Sequence, residues 1–251
     1  MSTENAKIAL VTGGGSGIGL SAAKALEAIG FTVILAGRNK EKLDQAVKLF
    51  AAGQAVARQL DVTSPQSVAA LFQDIQETFG RLDVLFNNAG NNVKDVPIDE
   101  LPVEDWLSVI NTNLTGVFLC TQAAVKLMKQ QSPQGGRIIN NGSISAQSPR
   151  PNSAPYTASK HAITGLTKST ALDGRAFNIA CGQIDVGNAA TDMGNKALAG
   201  RMQADGHIAE EPVIPVERVG EAVAFMAGLP LDTNVLTMTV MASAMPLVGR
   251  G

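Results

Sequence analysis

The sequence predicts an α/β fold, with one doubly wound parallel sheet of about seven strands in a single domain over residues 1–251. Three observations carry that prediction. Short apolar runs alternate with helix-length amphipathic segments along the whole chain. Several of these runs are nearly continuous in Val, Ile and Leu, as strands covered on both faces must be. A glycine-rich turn stands directly between the first strand and the first helix. With 45% hydrophobic and 17% charged residues, the chain holds enough apolar material for one large core.

The strand candidates are, in order, IALVT (8–12), TVILAG (32–37), AVARQLD (55–61), LDVLFN (82–87), RIINNG (137–142), FNIACGQI (177–184) and VLTMTVM (235–241). The first runs into TGGGSGIG (12–19), after which Ala22, Ala23, Ala25, Leu26 and Ile29 keep a helical spacing. Backbone N–H groups at a helix N-terminus, reached through side-chain-free residues, can hold a pyrophosphate. Gly13, Ser16, Gly17, Ile18 and Gly19 are therefore candidate phosphate-binding residues. The second strand ends Leu35-Ala36-Gly37-Arg38-Asn39. No carboxylate stands there to accept from ribose hydroxyls, and the Arg38 guanidinium suits a phosphate. A later helix is bounded by Ser64-Pro65, buries Val68, Leu71, Phe72, Ile75 and Phe79, and stops at Gly80. No linker, repeat or low-complexity tract appears. The segment from Gly187 to about Pro212 reads as a loop with one or two short helices. Loops of that length in compact domains are usually functional, and this one is assigned to the substrate.

A formal net charge of −2 with no Lys or Arg run argues against a nucleic-acid footprint or a polybasic membrane patch. The N-terminus, MSTENAKIALVTGGG, has no basic region followed by a long apolar run, so no signal peptide is expected. The apolar stretches fall far short of a membrane span. Cys120 and Cys181 lack metal-ligand spacing and read as reduced thiols of a cytoplasmic protein. With two histidines only, no metal site is expected.

Tyr156 is the only tyrosine in the chain, and Lys160 follows four places later. Residues four apart on a helix share a face. A free phenol ionises near pH 10 and is a poor proton donor or acceptor at neutrality. A unit positive charge at ~4 Å in an effective dielectric of ~20 is worth about 4 kcal/mol. A lysine is thus the right size of perturbation to bring a tyrosine into general acid–base work.

The spacing Thr12-Gly13-x-x-x-Gly17-x-Gly19 resembles the short-chain dehydrogenase/reductase superfamily. Further matches follow in that family's order: Asp61-Val62, Asn87-Asn88-Ala89-Gly90, Asn113 in Asn-Leu-Thr-Gly, Ser143, and Tyr156-x-x-x-Lys160. The resemblance covers nearly the whole chain. It implies an oxidoreductase interconverting an alcohol and a carbonyl by hydride transfer. Tyr156 would be the general acid or base, and Lys160 would lower its pKa and hold the nicotinamide ribose. Ser143 would donate to the reacting oxygen, and Asn113 would hold a water leading from Lys160 to solvent. Arg38, Asp61, Val62, Asn88, Ala89, Gly90 and Ile184 would join the glycine loop, Tyr156 and Lys160 in binding the cofactor. The expected cofactor is NADP(H), with NAD(H) possible. Ser16 stands where some NADP enzymes of the family carry a base. The expected partner is a small neutral or polar-uncharged substrate, and the expected assembly a homotetramer or homodimer.

The pattern also breaks. Cys181-Gly182 replaces Pro-Gly, and Val186 replaces a threonine for which Thr191-Asp192-Met193 is the expected substitute. The tail Met241-Ala-Ser-Ala-Met-Pro-Leu-Val-Gly-Arg-Gly replaces Asp-Gly-Gly and is expected to pack on its own core. Trp106 reads as a packing or interface residue, and His161 as one without chemistry. A nucleotide-sensing regulator on the same fold would be expected to lose Tyr156 or Lys160, and both stand. An epimerase or dehydratase would keep the same machinery and differ in its product.

Overall fold

The computed structural model describes residues 6–191 and 200–248. Strands and helices alternate in chain order: β1 Lys7–Thr12, α1 Gly17–Ala28, β2 Phe31–Gly37, α2 Lys40–Val47, β3 Ala55–Gln59, α3 Pro65–Phe79 and β4 Val84–Asn87. Then come α4 Val103–Ile110, α5 Gly116–Gln130, β5 Gly136–Asn141, α6 Ala154–Gly174 and β6 Ile179–Val186. A short hairpin, β7 Arg201–Met202 and β8 Ile208–Ala209, precedes α7 Val216–Gly228 and β9 Thr237–Val240. All seven sequence-predicted strands form. They make one sheet in the order β3-β2-β1-β4-β5-β6-β9, parallel throughout.

Both faces of the sheet are covered, which is why its strands read as apolar runs rather than alternating ones. On one face Val11, Val33 and Leu35 meet Ala23 and Leu26 of α1 and Val223 and Met226 of α7. On the other, Leu10, Ile34 and Leu85 meet Leu71 and Ile75 of α3 and Cys120 and Ala124 of α5. α3 begins and ends where its sequence says. The Ser64 side chain accepts from the Ser67 N–H, and Gly80 closes the helix in the left-handed conformation. Within the described part of the tail, Ala242 and Met245 are buried in the α1–α7 face. Trp106, at 37% exposure, is not a core residue.

One sequence expectation meets a different element among the described residues. The described part of the 187–212 segment carries the β7–β8 hairpin rather than a helix, closed by a turn at Gln203–His207 in which Gly206 has a positive φ. Asp-Gly between short extended runs is a hairpin signal, which sets the described residues 201–209. Asp192 and Met193 lie outside the described residues. The Pro-Gly departure has a packing reason for the half it keeps. A Cβ on Gly182 would run into the Val235 carbonyl oxygen. No helix among the described residues is long and apolar enough to cross a membrane.

Candidate active site

The strand order reverses between β1 and β4, so a crevice opens at their carboxyl ends. A cleft of about 1150 Å³ lies there. It is walled by Gly13, Ser16, Gly17 and Ile18, by Asn88–Gly90, and by Ser143, Tyr156 and Lys160. A smaller pocket of about 240 Å³, lined by Arg38, Asp61 and Val62, shares Gly13, Ser16, Ala89 and Gly90 with it.

The N-terminus of α1 is left open to a ligand. Ser16 makes no side-chain cap, and the first turn holds no acidic residue. The helix's first N–H groups and its positive dipole end thus meet no carboxylate from the helix's own first turn. Gly19 lines neither space and serves packing instead, since a Cβ there would collide with the Gly13 carbonyl oxygen and the Asn88 amide. These features fit a dinucleotide pyrophosphate, with a pocket on either side for the groups it joins.

Side-chain hydrogen bonds lace the strand ends together. Thr12 Oγ1 accepts from the N–H groups of Asn88 and Ala89, both at 2.9 Å. Asn88 Nδ2 donates back to the Thr12 carbonyl at 2.9 Å, and Asn141 Nδ2 donates to Asn88 Oδ1 at 2.9 Å. Lys160 Nζ donates to the Asn141 carbonyl at 2.7 Å. One continuous chain therefore connects the glycine loop to Lys160. Asn141 is a member that the motif spacing did not single out.

Tyr156 and Lys160 sit one turn apart on α6, with Nζ 5.5 Å from the phenol ring centre. The Tyr156 hydroxyl makes no hydrogen bond to a described residue, whereas the buried Lys160 is fixed by Asn141. Ser143 is buried in extended backbone after β5, and its Oγ accepts from the Ser145 N–H at 3.1 Å. With a lone pair so used, the serine proton is free to point at a ligand oxygen.

Two further predicted residues, besides Gly19, line neither pocket. Asn113 is buried in a π-helical turn, Asn111–Thr115, between α4 and α5. Its amide accepts from the Asn91 N–H at 2.8 Å and donates to the Asn91 carbonyl at 2.9 Å. This side chain ties down the turn beside the cleft and is not an open polar group. Ile184 is fully buried and lines neither pocket, and its carbonyl accepts from the Gly142 N–H at 2.8 Å. Because β6 runs on past it, Val186 and Gly187 reach the cleft instead. Thr191 also lines the cleft, beside Gly17. His161 is exposed and bonded to the Thr157 carbonyl. Cys120 and Cys181 are free, and burial pushes both thiols up to about 12, which makes them poor nucleophiles. No group of three or more metal-ligating side chains occurs among the described residues.

The cleft also carries paired charges, on Arg150 and Arg201. Arg150 forms an ion pair with the buried Glu211, and Arg201 one with Asp95 at 3.2 Å. Asn188 and Gln203 also donate to Glu211, at 2.9 and 3.1 Å. Burial alone would raise the Glu211 pKa, but the bonds from Arg150, Asn188 and Gln203 outweigh it and hold it at about 2. A depressed folded-state pKa stabilises above the ordinary value of 4.5 and loses that stabilisation as pH falls towards 2. The midpoint of thermal unfolding should therefore fall between pH 4.5 and 2 more steeply in the wild type than in Glu211→Gln. Parallel curves would remove the ion pair from the folded state.

Comparison with known proteins places this geometry. A family model described as short chain dehydrogenase matches residues 7–201. The 3beta-hydroxysteroid dehydrogenase of Mediterraneibacter gnavus is 38% identical over 213 residues, which is 84% of this chain and 76% of the relative. The gluconate 5-dehydrogenase of Gluconobacter oxydans is 38% identical over 194 residues, 76% of this chain and 74% of the relative. Among solved structures, actinorhodin polyketide ketoreductase with NADPH superposes with a TM-score of 0.86 at 30% identity, covering 99% of this chain and 100% of that one. Fold, motif order and relatives agree, and the chain belongs to the short-chain dehydrogenase family of oxidoreductases that act on CH–OH groups.

Proposed function

We propose that the protein is an NADP(H)-preferring oxidoreductase that interconverts an alcohol and a ketone or aldehyde, with Tyr156 as general acid and base. The observation that carries this reading is that Ser143, Tyr156 and Lys160 share one cleft with the open N-terminus of α1. In reduction, the Tyr156 hydroxyl gives its proton to the carbonyl oxygen while Ser143 donates a hydrogen bond to the same atom. When bound, the reduced nicotinamide supplies the hydride to the carbonyl carbon. The Lys160 ammonium, held by the Asn141 carbonyl one turn from Tyr156, would hold the nicotinamide ribose. Gly13, Ser16, Gly17 and Ile18 would hold the pyrophosphate, with Asn88, Ala89 and Gly90 along the opposite wall.

Arg38 supports the phosphate-bearing cofactor. It lines the smaller pocket, the proposed adenosine end, with Gly37, which leaves the end of β2 without a carboxylate, and Lys42 adds a second cation that the motifs did not reveal. The one acid there, Asp61, is turned to the Thr63 N–H and hydroxyl, which together with Arg38 lower its pKa. NADPH is also present in the ketoreductase structure that resembles this chain. Arg38→Ala should raise the Kd for NADPH about 10–100-fold, the worth of one charged hydrogen bond, and leave NADH unchanged. Equal weakening of both nucleotides would take the phosphate role from Arg38.

The substrate we propose is polar and uncharged, since Arg150 and Arg201 in the cleft are each paired with a carboxylate. Exposed Trp106, Leu107, Phe118 and Leu172 on α4, α5 and α6 support a homo-oligomer built on those helices. A panel of carbonyls and alcohols with both nucleotides, followed by absorbance of the reduced cofactor, tests the function. No turnover of any compound would overturn it.

A further inference from the structure

Strand β6 is buried along its whole length, yet it carries a carboxylate, Asp185, that is 2% exposed. Among the described residues Asp185 forms no ion pair. An isolated buried carboxylate is costly unless donors satisfy it. Here the donors are specific. Asp185 Oδ1 accepts from the Ser143 backbone N–H at 2.9 Å and from Gln183 Nε2 at 2.6 Å. Asp185 Oδ2 faces Gln147 Nε2 at a long 3.5 Å. Gly142 makes room for this arrangement, because a Cβ on it would run into Asp185 Oδ1.

Gln183 continues the connection away from the serine. Its Nε2 also donates to Thr164 Oγ1 at 3.1 Å, and its Oε1 accepts from Thr167 Oγ1 at 3.3 Å. Thr164 and Thr167 lie on α6, the helix that presents Tyr156 and Lys160. Asn140 donates to Thr167 Oγ1 at 2.9 Å, and Asn87 donates to Asn140 Oδ1 at 2.9 Å. A buried polar chain thus runs from β4 through β5 and α6 to β6, and it ends on the backbone of Ser143.

We infer that Asp185 is a positioning residue for the reaction proposed above: it fixes the Ser143 peptide against the Tyr156 helix, so that serine and tyrosine hydroxyls address one substrate oxygen. The inference rests on that functional reading. A neutral acceptor of the same shape would serve nearly as well, because the Ser143 and Gln183 contacts need a lone pair. Gln147 can turn its amide to accept from an asparagine. Without an acceptor, the Ser143 N–H is left unsatisfied in a buried place and the loop must move.

The test uses Asp185→Leu and Asp185→Asn, alone and in a Ser143→Ala background. The substrate is whichever carbonyl the wild type reduces fastest among 3-oxoesters, ketoses and 3-ketosteroids with NADPH. Asp185→Leu should lower kcat about 10–100-fold, while the Kd for NADPH stays within about 2-fold, and Asp185→Asn should recover most of the loss. In Ser143→Ala, adding Asp185→Leu should cost less than about 2-fold more, because the two residues act through one contact. An equal loss in both backgrounds, or no loss in either, overturns the inference. Amide exchange at Ser143 gives a second readout that needs no turnover, and should speed up in Asp185→Leu but not in Asp185→Asn. Unchanged exchange in a misbehaving Leu variant overturns the inference too. Failure of the wild type to reduce any carbonyl strikes the functional reading, and shows before any variant is made.

Discussion

Tyr156→Phe is expected to lower kcat about 10³-fold or more while cofactor affinity changes less than about 2-fold, because one oxygen is removed and the ring that packs the site is kept. The hydroxyl makes no hydrogen bond to a described residue, so its loss leaves no protein donor or acceptor unsatisfied and stability should hold. A general acid–base contributes typically about 10²–10⁴-fold, and Ser143 cannot replace it, since a serine hydroxyl lends a hydrogen bond but is far too weak an acid to give up its proton. Lys160→Met should differ. It removes the donor to the Asn141 carbonyl as well as the charge, and that carbonyl sits on the chain reaching Asn88 and Thr12. Cofactor affinity should therefore fall together with kcat in the lysine variant. Stopped-flow turnover and fluorescence titration with NADPH separate the two patterns. A Tyr156→Phe protein with wild-type kcat would place the proton transfer elsewhere.

The parts of this molecule legible in the sequence are those set by local chemistry. Ser64, Pro65 and Gly80 bound α3 because caps act within one turn, and buried parallel strands announce themselves as apolar runs. Tyr156 and Lys160 are legible for the same reason, being one helical turn apart. What stayed hidden depends on residues far apart in the chain. Thr12 meets Asn88 across 76 positions, and Ser143 meets Asp185 across 42. The signal for the second pair is present, in that Gln183 and Asp185 point the same way from a strand that must be buried on both faces. Reading it requires knowing which loop ends beside that strand. Ile184 shows the opposite case. It stands where the family pattern already breaks, at Cys181-Gly182; β6 continues two residues past the predicted 177–184, and Val186 rather than Ile184 lines the cleft.

Gly19→Ala should produce the second large effect, a rise of about 100-fold or more in the Kd for either nucleotide together with a lower unfolding midpoint. The added methyl would meet the Gly13 carbonyl oxygen and, at 2.6 Å, Asn88 Nδ2. Neither can yield cheaply. Gly13 belongs to the loop that lines both pockets, and the Asn88 amide is already committed to the Thr12 carbonyl at 2.9 Å. Overpacking a tight interior costs typically about 1–3 kcal/mol, and backbone contact puts this site at the upper end. Relief requires α1 to lift away from the ends of β1 and β4, which moves the N–H groups that would face the pyrophosphate. The loss should therefore be common to NADPH and NADH, unlike that of Arg38→Ala, which touches only the adenosine end. Isothermal titration of both nucleotides against both variants distinguishes them. If Gly19→Ala bound NADPH like the wild type, the close approach of α1 to the loop would not be what holds the cofactor site in shape.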